Sequence, residues 1–379
     1  MASDSLFAIA SKRFFRDPLA IAGMAGVLFL LLPALYAPFL VNGRPLVLID
    51  GAGVWSFPFL RSFFAPDTTE VLIEQLFNFL ALYIPLYLAA ALFRHARWIR
   101  IAGALLLIPF VLTTPRIDKQ DYRKSSDGAR FVLFAPVPYG PLEMTAAPFE
   151  GPSGRHWLGT DDVGRSVLAR MVYGARASLA VGIIATLLAI VIGSAVGLAA
   201  GYYRNTVDLA VMRLVEILMC FPTFLLLLIL MSSFGDRHFE QSILIVIAVI
   251  GLTGWIGLAL LVRGETLKQR ALPYIMSCEV AGIPAHKIMF RHLLPNITGP
   301  VLISFTFGVA GAILAESGLS FLGFGVQPPT ASWGGLLRQA FDNPLDYLHL
   351  TFFPGAALFV AVISFNFIGE GMRRALEVK

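Results

Sequence analysis

The stretch ASLAVGIIATLLAIVIGSAVGLAAG, residues 177–201, contains no charged residue. A bilayer core about 30 Å thick needs roughly 20 apolar residues of helix, because an unpaired backbone group is costly in hydrocarbon. Gly193, Gly197 and Gly201 recur every fourth residue and form a strip of small residues on one helix face. Such strips let helix backbones approach closely. We predict a transmembrane helix packed tightly against a neighbour, with a substrate-facing groove as the alternative.

Seven further apolar runs share this character, at approximately 19–41, 71–93, 98–114, 208–231, 242–262, 297–315 and 351–369. Charged residues make up 14% of the chain and the mean hydropathy is +0.75, whereas soluble domains carry about a quarter charged residues. We therefore predict an all-α, polytopic membrane protein with about eight transmembrane helices. The first run is too long for a signal-peptide core, and the third contains Pro109 and has a re-entrant segment as its alternative.

Lys and Arg cluster in short loops that stay in the cytoplasm. Here they lie before the first run, between the second and third runs, and at the C-terminus: Lys12, Arg13, Arg16, Arg94, Arg97, Arg100, Arg373, Arg374 and Lys379. We predict that both termini are cytoplasmic, which an even number of spans requires. The net charge of +5 orients the chain in a membrane and does not indicate a nucleic-acid partner.

We predict four parts along the chain. They are a cytoplasmic tail with the first span (1–41), an insertion with two extra spans (42–113), an external loop with an amphipathic helix (114–176), and a five-helix core (177–379) with a cytoplasmic loop at 263–296. Glu74, Gln75 and Asn78 make the outer end of the second span polar. We expect the inserted helices to pack at the periphery, away from any pathway.

The loop RGETLKQRALPYIMSCEVAGIPAHKIMFRHLLPN, residues 263–296, is too long and too regular for a simple turn. A helix over 274–281 is expected to end at Gly282, and Pro284 suits the first turn of a second helix. That second helix has an apolar stripe with a basic rim: Ile288, Met289 and Leu293 beside His286, Lys287, Arg291 and His292. Such a helix suits a groove on a cytoplasmic partner, and its alternative is to lie on anionic headgroups.

The stretch HWLGTDDVGRSVLAR, residues 156–170, is unusually polar for this chain. Thr160 suits a helix N-cap, and Asp161 and Asp162 would then lie in the first turn, near the positive end of the helix. We predict an amphipathic helix at the outer interface, with Arg165 and Arg170 facing headgroups or a partner. His156 and Asp162 alone make neither a metal-ligand set nor a nucleophile with its base.

The run from Tyr274 through Gly282 to IMFRHLLPN, residues 288–296, resembles the coupling loop, or EAA loop, of importer-type ABC transporter permeases. It is most similar to the dipeptide, oligopeptide and nickel permease family. Three more stretches resemble that family in the same order: 156–182, 316–337 (ESGLSFLGFGVQPPTASWGGLL) and 366–377 (NFIGEGMRRALE). The resemblance covers the C-terminal part of the chain and the first span, but not the insertion.

The resemblance implies a loop that sits in a cleft of an ATPase subunit, through Tyr274, Met276, Ser277, Cys278, Gly282, Ile288, Arg291, His292, Pro295 and Asn296. Met276, Ser277 and Cys278 stand where the family usually has Glu-Ala-Ala, so one charged contact is lost. It also implies an external gate region with Glu316, Ser317, Phe321, Gly323, Phe324 and Gly325. A packed external cap without ligand contacts is the alternative for that region.

The resemblance further implies a permease subunit of an ATP-driven importer in the bacterial inner membrane, for peptides or similar small solutes. Its partners would be a sister permease subunit, two ATPase subunits, an external substrate-binding protein and membrane lipids. The sequence has no phosphate loop, so ATP and Mg are expected on the partner ATPase subunits and no cofactor, metal or catalytic residue in this chain. The alternatives are an ion-driven secondary transporter and a membrane-embedded enzyme, although the six His residues are scattered among different loops.

Overall fold

The computed structural model describes residues 6–64, 68, 70–92, 103, 122, 129–234 and 242–376. Nearly all regular structure in these residues is helical. In chain order the elements are α1 (Leu6–Phe14), α2 (Pro18–Leu35), α3 (Ala37–Leu40), β1 (Val47–Ile49), β2 (Trp55–Ser56), α4 (Phe59–Phe64), α5 (Val71–Leu92), β3 (Phe131–Leu133), α6 (Val167–Tyr203), α7 (Asn205–Met219), α8 (Thr223–Phe234), α9 (Ser242–Arg270), α10 (Pro273–Val280), α11 (Ala285–Lys287), the π-helical turn Ile288–Leu293, α12 (Leu294–Leu322), α13 (Trp333–Gln339) and α14 (Leu348–Leu376).

Six helices of the described residues are long and apolar enough to cross a membrane, or seven if a bent pair counts as one span. They are α2, α5, α6, α9, the continuous helix that α11 to α12 form, and α14. The polytopic helical class predicted from the sequence is confirmed. The predicted third span, 98–114, lies outside the described residues apart from Gly103, so the count of eight stays a prediction.

The predicted span at 208–231 is not one straight helix. It is the bent pair of α7 and α8, which meet at 81°. The break falls at Pro222, which has no N–H to donate and disfavours helical geometry in the residue before it. The run is apolar and helical, as predicted, but the prediction of one continuous helix was wrong.

Helices α6 and α9 form the centre of the bundle, and the glycine strip of α6 is their contact. A Cβ atom built on Gly197 would lie 2.6 Å from the carbonyl oxygen of Ala259, and one on Gly201 would lie 2.9 Å from that of Arg263. Real Cβ atoms do not approach this closely, so the two backbones touch only because these residues are glycine. The predicted tight packing is confirmed.

The first and last helices of the described residues meet at one end of the bundle. Asp17 caps the start of α2 by accepting hydrogen bonds from the backbone N–H groups of Leu19 and Ala20. Arg374, in the last turn of α14, lies 3.7 Å from the Asp17 carboxylate. This end also carries the turn between α10 and α11, and we call it the loop end; the opposite end, which carries β1 to β3, is the sheet end.

The small antiparallel sheet was not predicted. Its strand order is β2-β1-β3, which joins two segments of the chain that flank α5. Strands of two or three residues are too short to give a readable alternation of apolar and polar residues. Within the described residues this sheet is a small addition to the mostly helical class, which is confirmed.

Helix α5, from the region predicted as an insertion, is joined to the bundle through buried polar groups. Arg176 of α6 is fully buried; its Nε donates to the carbonyl oxygen of Ala34 at 2.6 Å and its Nη2 to that of Leu35 at 3.1 Å. Its third nitrogen forms an ion pair with Glu74 of α5. The polar end of α5 therefore faces the bundle, while Leu72 and Leu88 of the same helix are exposed.

Candidate functional site

The loop between α9 and α12 has the two-part structure that the sequence predicts. Helix α10 ends at Val280, and Gly282 has φ +72°, a left-handed conformation that glycine adopts without strain. The helix restarts at Ala285, with Pro284 as its N-cap. In contrast to the prediction of a separate second helix, this segment continues without a break into α12. The break at Gly282 is thus the main bend of the loop.

The predicted orientation of the apolar stripe is wrong. Ile288 and Leu293 are completely buried, together with Ile275 of α10 and Ile297 of α12. They form a cluster with Leu198, Tyr202, Leu258, Val262 and Val301 of the adjacent spans. The nearest apolar surface for this stripe is the protein's own bundle, so the stripe fixes the loop in place instead of facing a partner.

A different set of side chains is left exposed on the loop. Val280, at the end of α10, is 90% exposed, and Met276 and Phe290 are also largely exposed. The exposed side also carries Tyr274, Ser277, Gly282, His286, Lys287, Arg291, Pro295 and Asn296, whereas Cys278 and His292 are partly buried. We call the three exposed apolar residues Met276, Val280 and Phe290 the exposed ridge; the basic residues His286, Lys287 and Arg291 of the same loop are exposed as well.

Two residues of the resemblance hold the halves of the loop together. The Tyr274 hydroxyl donates to Gln269 Oε1 at 2.8 Å and accepts from Asn296 Nδ2 at 3.1 Å. The same amide nitrogen lies 2.7 Å from the carbonyl oxygen of His292. Tyr274 thus links α10 to the ends of α9 and α12.

Arg270 is an important contact that the sequence analysis did not single out. Its guanidinium lies 4.9 Å from the ring centroid of Tyr202 and donates to the Tyr202 carbonyl oxygen. Its Nε donates to Glu279 Oε1 of α10 at 3.2 Å. Arg263 makes a second bridge, with Nη2 2.7 Å from Asp208 Oδ2 of α7. No pattern in the sequence reveals these pairs, because their members lie in different helices.

The stretch at 156–170 does not form the predicted helix. Residues 160–166 form turns and isolated bridges, and α6 begins only at Val167, with Ser166 as its N-cap. The buried Asp161 carboxylate accepts from the backbone N–H groups of Val163 and Arg165, at 3.1 and 2.8 Å. Aspartate accepts hydrogen bonds from backbone N–H groups in tight turns as readily as at helix N-termini. The pattern Thr160-Asp161-Asp162 therefore did not distinguish a turn from the start of a helix.

The two arginines of this stretch are buried and do not face solvent or headgroups. Arg165 Nε donates to Asp161 Oδ2 at 2.7 Å and its Nη2 lies 3.3 Å from Asp162. Arg170 Nε lies 3.1 Å from the same Asp161 oxygen, and its Nη1 donates to the carbonyl oxygen of Pro329. Thr160 is buried as well, and its carbonyl oxygen lies 3.0 Å from His349 Nε2. These residues join the external segments to one another.

Glu316 lies buried near the sheet end of α12 among serine hydroxyls. Ser320 Oγ donates to one carboxylate oxygen at 2.7 Å, while Ser178 Oγ and Ser317 Oγ donate to the other at 3.0 and 3.3 Å. Trp333 N–H in turn donates to Ser178 Oγ at 3.4 Å. The carboxylate therefore connects α12, α6 and the start of α13.

The remaining residues of the predicted gate region surround this cluster. Gly323 ends α12 with φ +90°. Gly325 is buried so close to Ser320 that a Cβ would lie 2.5 Å from its backbone nitrogen. Phe321 packs edge-on against Phe341 at 5.2 Å, and Phe324 is exposed. The structure thus brings the predicted gate residues together at one end of the bundle.

A cavity of about 390 Å³ lies between α6, α8, α9 and α12. None of the described residues that line it is charged, and most are small. The small residues are Ala185, Thr186, Ala189, Thr253, Gly254, Gly257, Ser304, Gly308, Gly311, Ala312 and Ala315, and the others are Ile190, Thr223, Leu227, Ile250, Leu258 and Phe307. Within the part of the chain that the structure describes, no three His, Cys, Asp or Glu residues are placed to hold a metal.

Comparison with known proteins identifies two family matches. Residues 189–379 match the family described as binding-protein-dependent transport system inner membrane component. Residues 5–46 match the N-terminal transmembrane domain of oligopeptide transport permease C. The region between these matches contains α5, the sheet and the external segments.

Curated relatives agree with these matches. A glutathione transport system permease protein of Pectobacterium atrosepticum is 37% identical over 230 residues, 61% of this chain and 75% of the relative. An oligopeptide transport system permease protein of Haemophilus influenzae is 39% identical over 236 residues, 62% and 74% of the two chains. A dipeptide transport system permease protein of Bacillus subtilis is 37% identical over 229 residues, 60% and 70%.

The family resemblance predicted from the coupling loop is confirmed, and the comparisons do not support an ion-driven secondary transporter. This is a family of transport permeases and not of enzymes, and its members work with ATPase and binding-protein partners. The chain belongs to the family of binding-protein-dependent transport system inner membrane components, as a multi-pass permease subunit of an ABC importer in the bacterial inner membrane.

Proposed function

We propose that the exposed ridge of Met276, Val280 and Phe290 is the surface that seats in an ATPase partner. The observation that carries this proposal is the 90% exposure of Val280 at the tip of a loop in which Ile275, Ile288 and Leu293 are fully buried. A rigid element that leaves apolar side chains exposed marks a contact surface. The exposed basic residues of the same loop, including Lys287 and Arg291, supply a polar rim.

The contacts of the loop support transmission of force to the spans. Arg270 joins α10 to the end of α6, and Tyr274 joins α10 to α12. The cluster around Ile275 and Ile288 leaves the loop no freedom to slide on the bundle. Movement of the partner would therefore be passed to α6, α9 and α12, as a two-state change that nucleotide binding biases.

We propose peptides or similar small solutes as cargo, passed through the cavity between α6, α8, α9 and α12. The named relatives transport glutathione, dipeptides and oligopeptides. A pathway wall without charged residues suits peptides, because their net charge varies from one molecule to the next. Selection would then depend on the external binding protein and not on this chain.

The assembly we propose contains a sister permease subunit, two ATPase subunits and an external substrate-binding protein. The cavity is open on one side of this chain, and the adjoining α7 and α8 expose Ile217, Phe221, Phe224 and Leu225. A sister permease would close the cavity there. ATP and Mg would bind the ATPase subunits, and this chain would hold no cofactor and catalyse no reaction. The external binding protein would dock over the region of Glu316, Ser317 and Phe324.

The test is Val280→Asp in the full chain, co-expressed with the other subunits of its transport system. We expect the ATPase subunits no longer to co-purify and uptake of a labelled tripeptide to fall at least tenfold, because a carboxylate would have to be desolvated in the contact. The matched control is Leu345→Asp, which changes a residue 81% exposed at the sheet end and should retain the ATPase. Normal ATPase retention by Val280→Asp would contradict the proposal.

A further inference from the structure

The sheet has one face that consists only of apolar side chains. Ile49 of β1 pairs with Trp55 and with Phe131, and Val47 pairs with Leu133. Directly paired residues of neighbouring strands point to the same side of a sheet. The side chains of Trp55, Phe131 and Leu133 are 64%, 50% and 47% exposed. We call these five residues the apolar sheet face.

Phe57, two residues after Trp55, extends this surface and is also exposed. The other face of the sheet, with Leu48 and Val132, is partly buried. An antiparallel sheet that covers a core normally turns polar residues to water, whereas the exposed face of this sheet is apolar. A continuous exposed apolar surface of this kind marks contact with a protein or a membrane.

The sheet is held close to the ends of two spans. Leu46 N–H donates to the carbonyl oxygen of Leu133 at 2.7 Å, only a few residues after α3, which continues the first span. On the other side, Asn78 of α5 is buried and its Nδ2 donates to the carbonyl oxygen of Phe63 in α4 at 2.7 Å. These contacts place the sheet beside the boundary where α2 and α5 leave the bilayer.

The composition of the surface favours lipid as its partner. Tryptophan and other aromatic residues concentrate at the membrane–water interface, and this surface carries Trp55, Phe57 and Phe131 next to aliphatic residues. Its charged neighbours, Asp50 and Arg130, stand at the margin, next to the ends of β1 and β3. The segment before β3, residues 115–130 (PRIDKQDYRKSSDGAR), is half charged and is chemically unsuited to covering an apolar face.

We propose that the apolar sheet face lies in the interfacial layer of the bilayer, with phospholipid headgroups and upper acyl chains as its partner. Burial of this apolar surface away from water would stabilise the position of the segments on either side of α5. The sheet would thus anchor the inserted region, which neither family match covers. This proposal goes beyond the proposed function and is independent of the side of the membrane on which the sheet lies.

The experiment measures the environment of a spin label on each face of β3. Leu133→Cys places the label on the apolar sheet face, and Val132→Cys places it on the opposite face, both in a Cys220→Ser, Cys278→Ser background. A third variant, Gly154→Cys, labels an exposed position with open space around it. The full chain, with its co-expressed subunits, is reconstituted in nanodiscs of phosphatidylethanolamine and phosphatidylglycerol. Power saturation then compares access of oxygen, which enters bilayers, with access of a water-soluble nickel chelate.

We expect oxygen to relax the Leu133 label several-fold more than the chelate does, and the reverse order at Gly154. Equal chelate access at Leu133 and Gly154 would place the face in water and overturn the proposal. Exclusion of both reagents from Leu133 would show that protein covers the face, which overturns it too. Phe131→Cys labels the same face and replaces Leu133→Cys if that variant does not fold.

Discussion

At the scale of single residues, the stability of the bundle depends on polar groups that are buried and paired. Arg176 is the clearest case, because its three nitrogens reach two carbonyl oxygens of α2 and the carboxylate of Glu74. The sequence shows Glu74 as a polar residue near a span end but does not reveal its partner. The pair joins α5 to the permease core.

We predict that Glu74→Gln lowers the free energy of unfolding by about 3–5 kcal/mol, because removal of one partner leaves a buried guanidinium charge uncompensated. The measurement is thermal or denaturant unfolding of the purified chain in detergent. The matched control is Glu265→Gln, whose partner Lys268 is largely exposed and stays hydrated. An equal response of the two variants would show that the Arg176 charge is not buried.

At the scale of elements, the contact between α6 and α9 determines how the bundle packs. The glycine strip that defines this contact was predicted from spacing alone, because small residues four apart let helix backbones approach closely; the structure decides for this reading over a substrate-facing groove. The sequence did not reveal the bend between α7 and α8, the sheet, or the turn at 160–166. Short elements depend on contacts between distant residues such as Asp161 and Arg170.

We predict that Gly197→Ala lowers the unfolding temperature, since its Cβ would lie 2.6 Å from the carbonyl oxygen of Ala259 and overpacking costs about 1–3 kcal/mol. The control is Gly264→Ala in α9, where nothing lies within 4 Å of the new Cβ. Alanine should stabilise that position by about 0.5–1 kcal/mol. Stabilisation by both substitutions would argue against close backbone contact between α6 and α9.

In the coupling loop, too, some features could be predicted from the sequence and others depend on the fold. Gly282 and Pro284 were assigned correctly, because backbone conformation at these residue types is a local property. The outward-facing residues were not, because Ile288 and Leu293 pack against spans that are far away in the sequence. The surface available to a partner is therefore known only from the folded chain.

At the scale of the whole molecule, the bundle has two ends with different chemistry. The loop end carries the exposed ridge and the contact between Asp17 and Arg374. The sheet end carries the serine cluster around Glu316 and the buried turn around Asp161. The distribution of Lys and Arg in the sequence predicts that the loop end is cytoplasmic.

We predict that Lys287→Cys, at the exposed loop end, reacts with a membrane-impermeant maleimide only after cells are permeabilised. Gly154→Cys should react in spheroplasts, because it lies on the other side of the bilayer. Both variants are made in the Cys220→Ser, Cys278→Ser background and measured by gel shift. Labelling of Lys287→Cys in intact spheroplasts would reverse the topology and contradict the coupling role.

The unbroken helix from Ala285 to Leu322 makes the permease a lever. Phe290 and Glu316 stand on one rod, and at 1.5 Å per residue they are separated by about 39 Å along its axis. A tilt of about 5° at the ATPase contact would shift the far end by about 3 Å, by the geometry of a rigid rod of that length. The shift is comparable with the 3.0 Å between Glu316 and Ser178 Oγ of α6, so a small stroke that tilts α12 against α6 on one side of the membrane is enough to break this contact on the other.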